Sequence, residues 1–235
     1  MNSQFESRSL PVSESVRSCL PNNSHSSTNH ASSVRVFVIV EGTNDIKFLK
    51  RISAILHTSN SILPNLARWE QQGKLIFVPT GGDLLSWSDR LAPLHKPEFH
   101  ICDREIAPET ELRQKAAACV NRRPDCRAVL TNKRSIENYL HPRALVEAGG
   151  PELLIDDFDS VPEQVARQRF AASEPDTTWE CLSRRSRKRC CYYAKRWLNT
   201  SAVERMTPEL LATRDSAGEV VSWLESIREL ATSGC

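Results

Sequence analysis

The sequence lacks any apolar run close to the roughly 20 residues that a helix needs to cross a bilayer. Its first residues are polar and include no continuous apolar stretch of the kind that a secretory signal requires. The sequence therefore predicts no membrane partner, and the expected location is the cytoplasm.

Two common cofactor motifs are also missing. None of the eight cysteines belongs to a C-x-x-C pair, so neither a zinc ribbon nor a zinc knuckle is expected. There is no G-x-x-x-x-G-K-[ST] motif, which means that the chain has no P-loop of its own with which to bind ATP. Any dependence on ATP would have to come from a separate protein.

The chain has little net charge. Its 31 lysines and arginines nearly balance 29 aspartates and glutamates, giving a formal charge of +2 over 235 residues. Binding to nucleic acid would therefore depend on a local cluster of charge rather than on the overall balance. A hydrophobic content of 40% and a charged content of 26% are ordinary for a globular protein.

Composition divides the chain into three parts. Residues 1–33 contain eleven serines and few large apolar side chains, so they cannot bury enough surface to offset the entropy of ordering, and a disordered tail is expected. Residues 34–145 alternate apolar runs with amphipathic stretches and predict one α/β domain. Residues 146–235 have little strand character and predict a helical C-terminal region, either packed on the sheet or forming a small appendage.

The alternation in the middle part predicts a mainly parallel, four-stranded sheet flanked by helices. The predicted strands cover residues 34–40, 74–79, 98–103 and 126–131. Helices are predicted directly after the first strand, at 83–94 and at 108–120. Near the C-terminus, Thr207 and Pro208 have the order of an N-cap and first helical residue. An apolar stripe of helical period follows, made of Val220, Trp223, Leu224, Ile227 and Leu230.

Acidic residues follow two of the predicted strands. Glu41 ends the first strand, Asp45 lies in the first turn of the next helix, and Asp103 and Glu105 end the third strand. The carboxyl ends of parallel strands share one edge, so these side chains should meet, and their mutual repulsion favours a neutralising cation. Oxygen ligands of this kind suit Mg²⁺ or Mn²⁺. The alternative is local: Asp45 would favour the helix N-terminus, and the other acids would be turn residues.

The stretches that contain these acidic residues resemble the motifs of a known protein family. "VIVEGTNDIKFL" together with "HICDREI" resembles a Toprim domain, the catalytic module of type II and IA topoisomerases, bacterial primases and several nucleases. Glu41-Gly42 matches the family's Glu-Gly motif, and Asp103-Arg104-Glu105 matches its Asp-x-Asp motif with glutamate in place of the last aspartate. "VPTGGD" is similar to the glycine pair of many members, although two glycines would also simply make a turn. The resemblance implies a Rossmann-like sheet.

A further stretch, "LTNKRSIENYL" at 130–140, resembles the overcoming-lysogenization-defect (OLD) nucleases and their stand-alone Toprim relatives. That subgroup binds two Mg²⁺ (or Mn²⁺) ions, and the resemblance implies the ligands Glu41, Asp45, Asp103, Glu105 and Glu137. It also implies that Glu41 acts as general acid or base. A lysine of the C-terminal region would neutralise charge in the transition state; Lys195 is preferred to Lys188. Full-length OLD nucleases carry an ATPase on the same chain, so an ABC- or SMC-like ATPase partner in trans is expected here.

One segment concentrates positive charge: "RRSRKRCCYYAKRW" at 184–197. Its cations would attract phosphates, and Tyr192, Tyr193 and Trp197 could stack on bases. The predicted nucleic-acid-binding residues are Arg184, Arg185, Arg187, Lys188, Arg189 and Arg196. The alternative is a solvated helix face with the aromatic side chains in the core.

The leading functional hypothesis is a metal-dependent endonuclease that cleaves DNA or tRNA-like RNA by a two-metal mechanism. A role as an effector of phage or plasmid defence is implied by the resemblance alone. The competing hypothesis is a non-catalytic module that binds nucleic acid or a partner protein, and a phosphotransfer receiver fits less well. The oligomeric state, a homodimer included, and the substrate stay open.

Overall fold

The computed structural model describes residues 34–173 and 176–233. The predicted disordered tail, 1–33, lies outside the described residues. Four parallel strands form one sheet in the order β2-β1-β3-β4: β1 Val36–Val40, β2 Leu75–Pro79, β3 Glu98–Cys102 and β4 Cys126–Leu130. Helices flank this sheet and make up the C-terminal extension, so the predicted fold class is confirmed.

Strand β1 lies in the interior of the sheet. It consists of five apolar residues, all buried, as expected for a parallel strand that is covered on both faces. It pairs with β2 on one side, where Val40 stands opposite Pro79, and with β3 on the other, where Ile39 stands opposite His100. The residue that follows β1 therefore emerges in the middle of the carboxyl edge of the sheet.

Three helices belong to the sheet region: α1 Thr43–Ser59, α2 Leu66–Gln71 and α3 Glu109–Val120. In α1 the side chains of Phe48, Leu49, Ile52 and Leu56 are buried at helical spacing. Helix α3 begins directly after Pro108, and both acids in its first turn favour the positive end of the helix dipole. Its predicted position is confirmed to within a residue.

The helix predicted at 83–94 is wrong. The structure has two short 3₁₀ turns instead, Leu85–Trp87 and Ala92–Leu94. Side chains of this segment bond to the local backbone: the Ser86 N–H donates to Asp83 Oδ1 at 3.3 Å, and the Ser88 hydroxyl donates to a carbonyl three residues earlier at 2.8 Å. Such bonds offer the backbone an alternative to the helical ladder, and the proline inside the second turn removes a donor.

The C-terminal region contains five helices within the described ranges: α4 Pro142–Glu147, α5 Val161–Ala171, α6 Arg184–Trp197, α7 Pro208–Arg214 and α8 Glu219–Ser233. The Thr207 hydroxyl accepts the Leu210 N–H and caps α7, as predicted. The predicted stripe of α8 is buried, and Trp223 packs edge-on against Tyr139 at 5.2 Å between ring centroids. Helix α6 continues into a π-helical turn, Leu198–Ala202.

One hydrophobic cluster joins both regions of the chain. It contains residues of β1 and α1 together with Leu198, Trp223 and Ile227 from the last third. Helix α8 contacts β1 and β3 directly. The C-terminal helices are therefore packed on the sheet rather than folded as an appendage. In the part of the chain that the structure describes, no helix is long and apolar enough to cross a membrane.

Candidate active site

The ends of β1 and β3 bring two acids together at the carboxyl edge of the sheet. Glu41 follows β1, and Asp103 follows β3. The backbone N–H of Asp103 donates to Glu41 Oε1 at 3.1 Å. The convergence expected from the parallel strands is thus realised by a direct hydrogen bond between the two strand ends.

Arg113 of α3 holds this pair from one side. Its guanidinium forms an ion pair with the Glu41 carboxylate, and its Nη1 donates to the Asp103 carbonyl oxygen at 3.0 Å. Burial lowers the pKa of Arg113 from its usual value. Since an arginine stays protonated at any ordinary pH, Glu41 has a permanent positive partner.

Asp45 contacts both the start of α1 and the lysine of the candidate site. The Gly42 N–H donates to Asp45 Oδ2 at 2.7 Å, which closes the N-terminus of α1 as in a capping box. The other oxygen, Oδ1, lies 3.4 Å from the Lys195 ammonium. One carboxylate therefore serves the helix end and the site together.

Asp103 and Glu137 lie deeper. Asp103 Oδ1 accepts the Ile136 N–H at 3.0 Å. Glu137 belongs to a 3₁₀ turn that follows β4 and is only 1% exposed. Its Oε1 accepts a hydrogen bond from the Asn199 amide at 2.6 Å. Backbone and amide donors thus fix the orientation of both carboxylates.

The Lys195 ammonium stands between three carboxylates. Its Nζ lies 3.4 Å from Asp45, 3.5 Å from Glu137 and 3.8 Å from Asp103, and its side chain is 30% exposed. Three carboxylates and one ammonium carry a combined charge of −2 when all are ionised, which equals the charge that one divalent cation would neutralise. We call these four residues the acid–lysine cluster.

The electrostatics of the acid–lysine cluster follow from burial and crowding. Burial raises the pKa of Asp45 and Asp103, and neighbouring carboxylates raise it further, against the opposing effect of Lys195. Burial alone would lower the pKa of Lys195, but Glu137, Asp103 and Asp45 together raise it above its usual value. The lysine is therefore firmly protonated, whereas burial opposes the ionisation of Asp45 and Asp103.

Two buried oxygens around this cluster have no hydrogen-bond donor, and a third has only the lysine ammonium nearby. The first two are Glu137 Oε2 and Asn199 Oδ1, and the third is Asp45 Oδ1, 3.4 Å from Lys195 Nζ; all are acceptors. Buried polar atoms are normally satisfied, and the group that satisfies several acceptors at one place is a donor or a cation. Carboxylate and amide oxygens are ligands of hard cations. The chemistry of this donor set therefore fits Mg²⁺ or Mn²⁺.

The five predicted ligands are not all assembled. Glu105 is held away by Arg134, whose Nε donates to Glu105 Oε2 at 3.1 Å, and its backbone has a φ of 55°. Across residues 34–173 and 176–233, no group of three or more His, Cys, Asp or Glu side chains converges closely enough to hold a metal ion as placed. The lysine ammonium lies where the carboxylates would otherwise face one another.

The comparisons with known proteins give a likeness in fold. No protein-family model matches the chain, and no curated protein matches its sequence. Solved structures of the C-terminal region of the Xanthomonas campestris pv. campestris OLD protein are similar to it. The platinum-phased structure has 12% identity and a TM-score of 0.45, covering 86% of this chain and 96% of that one. The iodine-phased structure has 11% identity and a TM-score of 0.43, with coverage of 84% and 96%.

A cavity of about 340 Å³ opens beside the acid–lysine cluster. It is lined by Glu41, Gly42, Thr43, Asn44, Asp45, Gly81, Gly82, Tyr192 and Lys195. Gly81 and Gly82 have φ values of 73° and 98°. Residues with a side chain rarely adopt such positive values, so the turn after β2 needs glycine at both positions. A Cβ at either position would meet nothing within 4 Å, and this side of the cavity is open.

Helix α6 carries the predicted nucleic-acid-binding residues. Arg184, Arg185, Lys188, Arg189 and Arg196 are exposed, and Arg187 is half-buried. None of the six forms an ion pair with an acid among the described residues. Trp197 is different, because the Arg169 guanidinium stacks on its ring at 3.8 Å from the centroid. That contact already occupies one face of the Trp197 ring.

The sequence analysis did not identify Arg113 or Asn199. Asn199 lies four residues after Lys195, a spacing that puts two residues on the same face of a helix and is the one sequence signal for it. Its amide also donates to the Lys195 carbonyl at 2.9 Å, which ties the π-helical turn to α6. Arg113 had no comparable signal, since α3 contains several charged residues of equal prominence.

Proposed function

We propose that this chain is a metal-dependent nuclease of the OLD-like Toprim type. The observation that carries the proposal is the acid–lysine cluster: three buried carboxyl groups gathered around one ammonium, at the carboxyl edge of a parallel sheet. Ligand sites of open α/β sheets lie at this edge. The motifs that resemble Toprim and OLD proteins supply most of the same residues.

Asp45, Asp103 and Glu137 would hold the cation. Bound Mg²⁺ or Mn²⁺ would supply Lewis acidity toward water and the phosphate oxygens. Glu41 lines the cavity and is oriented by Arg113 and the Asp103 N–H. Its carboxylate would accept or return a proton. Lys195 lines the same cavity and would neutralise charge that develops on the phosphate.

A second ion would require Glu41 or Glu105 to exchange its arginine partner for the cation. Arg113 and Arg134 occupy these carboxylates in the structure. The proposed two-metal mechanism thus includes a local rearrangement of ion pairs, which the arrival of a dication and a polyanion would favour.

The proposed substrate is DNA or tRNA-like RNA, bound through the cations of α6. An ABC- or SMC-like ATPase acting in trans and a role in defence against phages or plasmids complete the proposal. Recovery of such an ATPase with the chain from native cells, and a dependence of cleavage on it, are the expected results.

The second candidate is a non-catalytic module that binds nucleic acid. It is favoured by one observation: the Lys195 ammonium already lies among all three carboxylates, an arrangement that also occurs in purely structural ion-pair networks. On this hypothesis the cations of α6 bind phosphates and the acids serve only to anchor the helix.

The test combines cleavage with metal binding. Purified protein is incubated with plasmid, single-stranded DNA and tRNA in Mg²⁺, Mn²⁺ or EDTA, and Mn²⁺ binding is followed by electron paramagnetic resonance. Asp103→Asn and Glu137→Gln should lose both properties. Glu204→Gln is the matched control, because that glutamate is exposed and pairs with Arg51 at 2.7 Å. If wild type neither binds Mn²⁺ nor cleaves any substrate, even with its ATPase, the nuclease hypothesis is wrong and the non-catalytic binding module is the remaining candidate.

A further inference from the structure

Tyr192 is an exposed aromatic side chain at the mouth of the candidate site. Its side chain is 57% exposed, yet it lines the same cavity as Glu41, Asp45 and Lys195. Its position beside the cleft, rather than its exposure, makes the ring available to a ligand that enters the cavity.

Cations flank Tyr192 along its helix. Lys188 and Arg189 lie one turn before it, and Lys195 and Arg196 one turn after it, so all four share its side of α6. Three of them are exposed and without an acidic partner among the described residues; Lys195 belongs to the acid–lysine cluster. An aromatic ring with positive charge on both sides is the arrangement that binds a base together with its neighbouring phosphates.

The next residue offers a comparison within the same helix. Tyr193 is also 57% exposed, and its ring meets that of Tyr192 at 5.7 Å between centroids with an interplanar angle of 67°. It is not among the residues that line the cavity. The two adjacent tyrosines therefore match in type and exposure, but Tyr193 has no access to the cavity and has two cations one turn away instead of four.

We propose that Tyr192 stacks on an unpaired nucleobase next to the scissile phosphate, so that the substrate of this site is single-stranded or locally unpaired nucleic acid. This inference rests on the proposed function, since it gives the substrate class of that same site.

The physical reason is the availability of the base. Inside a duplex, both faces of a base are covered by its neighbours, and exposing one requires unstacking that costs a few kcal/mol. In a single strand or a loop, the base can turn its face to an aromatic side chain without that cost. The open glycine turn at Gly81 and Gly82, on another wall of the cavity, leaves room for the sugar and backbone.

The experiment uses the intact chain and oligonucleotides of one sequence, single-stranded or duplex, with 2-aminopurine at one position. Binding is measured with Ca²⁺ in place of Mg²⁺, through the fluorescence change that stacking causes.

Wild type should bind the single strand more tightly than the duplex and quench the probe. Tyr192→Ala should weaken single-strand binding by about tenfold and abolish quenching, in line with typical base–aromatic stacking. Tyr192→Phe, which keeps the ring, should restore both, and Tyr193→Ala should change binding less than threefold.

The outcomes separate this inference from the proposed function. Equal effects of Tyr192→Ala and Tyr193→Ala, or equal affinity for single strand and duplex, would overturn the inference even if wild type cleaves. Quenching that depends on Tyr192 in a protein that never cleaves would support the binding site and reject the nuclease.

Discussion

Replacement of Lys195 by methionine is expected to tighten divalent-cation binding while abolishing cleavage. The ammonium lies within 3.8 Å of all three carboxylates and competes with any cation that those acids bind. Methionine keeps much of the apolar stem but removes the charge, so the acid–lysine cluster changes from −2 to −3. If Lys195 also neutralises the phosphate, the variant loses activity although it binds metal better.

The expected magnitude follows from Coulomb's law. Even if the lysine retreats to about 8 Å from the bound ion and water fills the gap, an ammonium and a dication repel by about 1 kcal/mol. Removal of that repulsion corresponds to about fivefold tighter binding. A closer approach in a less polar surrounding makes the effect larger, and salt screening makes it smaller, so we expect at least fivefold in a buffer of low ionic strength. Without metal, the variant should lose about 2–3 kcal/mol of stability, because three buried acids are left without a counterion.

The assay is Mn²⁺ titration of wild type and Lys195→Met, together with thermal unfolding with and without Mn²⁺. The variant should unfold at a lower temperature without metal and show the larger shift on adding it. Lys188→Met is the matched control on the same helix, and its Mn²⁺ affinity should not change. Unchanged or weaker Mn²⁺ binding by Lys195→Met would refute the idea that the ammonium and the cation compete.

Two further predictions concern other residues. Asn199→Ala removes the amide that orients Glu137 and should weaken Mn²⁺ binding by about tenfold. Thr200→Val, on the same turn, is the control and should leave Mn²⁺ binding unchanged. Equal Mn²⁺ affinity of the two variants would show that Asn199 has no role in the site. Burial alone would raise the pKa of Glu98, but hydrogen bonds from His100 and Arg123 lower it below the usual 4.5. Its stabilising effect is therefore present above about pH 4.5 and lost as the pH falls through the lowered value. Glu98→Gln should lower the free energy of unfolding by about 3 kcal/mol at pH 7. When this free energy is measured by urea unfolding at several pH values, it should fall less toward acid pH in the variant than in wild type. An equal fall in both proteins would contradict this assignment.

The strands and the acids after them could be predicted because their signals are local. Five apolar residues before Glu41, and the apolar residues Phe99, Ile101 and Cys102 before Asp103, are enough to indicate buried parallel strands whose ends share an edge. The apolar stripe that includes Trp223 likewise predicts helix α8 from its spacing alone. Capping at Thr207 depends on side chains within three residues of the helix start.

The interactions that were not predicted join residues far apart in the chain. Arg113 forms an ion pair with Glu41 from 72 residues away, and Asn199 contacts Glu137 from 62 residues away. Glu105 looked like a ligand from its motif, but Arg134, 29 residues later, holds it. The break between α7 and α8 depends on Asp215, whose carboxylate accepts the first N–H groups of α8 at 2.9 and 2.8 Å. Such pairings depend on the packing of whole elements.

The hydrophobic core joins the sheet to helices that lie much later in the chain. A nascent chain that has reached residue 145 already holds the five carboxylates, but Lys195, Asn199 and the basic helix are still about 50 residues from completion, or about 3–10 s of synthesis. Until α8 packs on β1 and β3, apolar surface of the sheet stays uncovered. The acid–lysine cluster can therefore assemble only after residue 195 has been made, because its members are spread from Asp45 to Lys195.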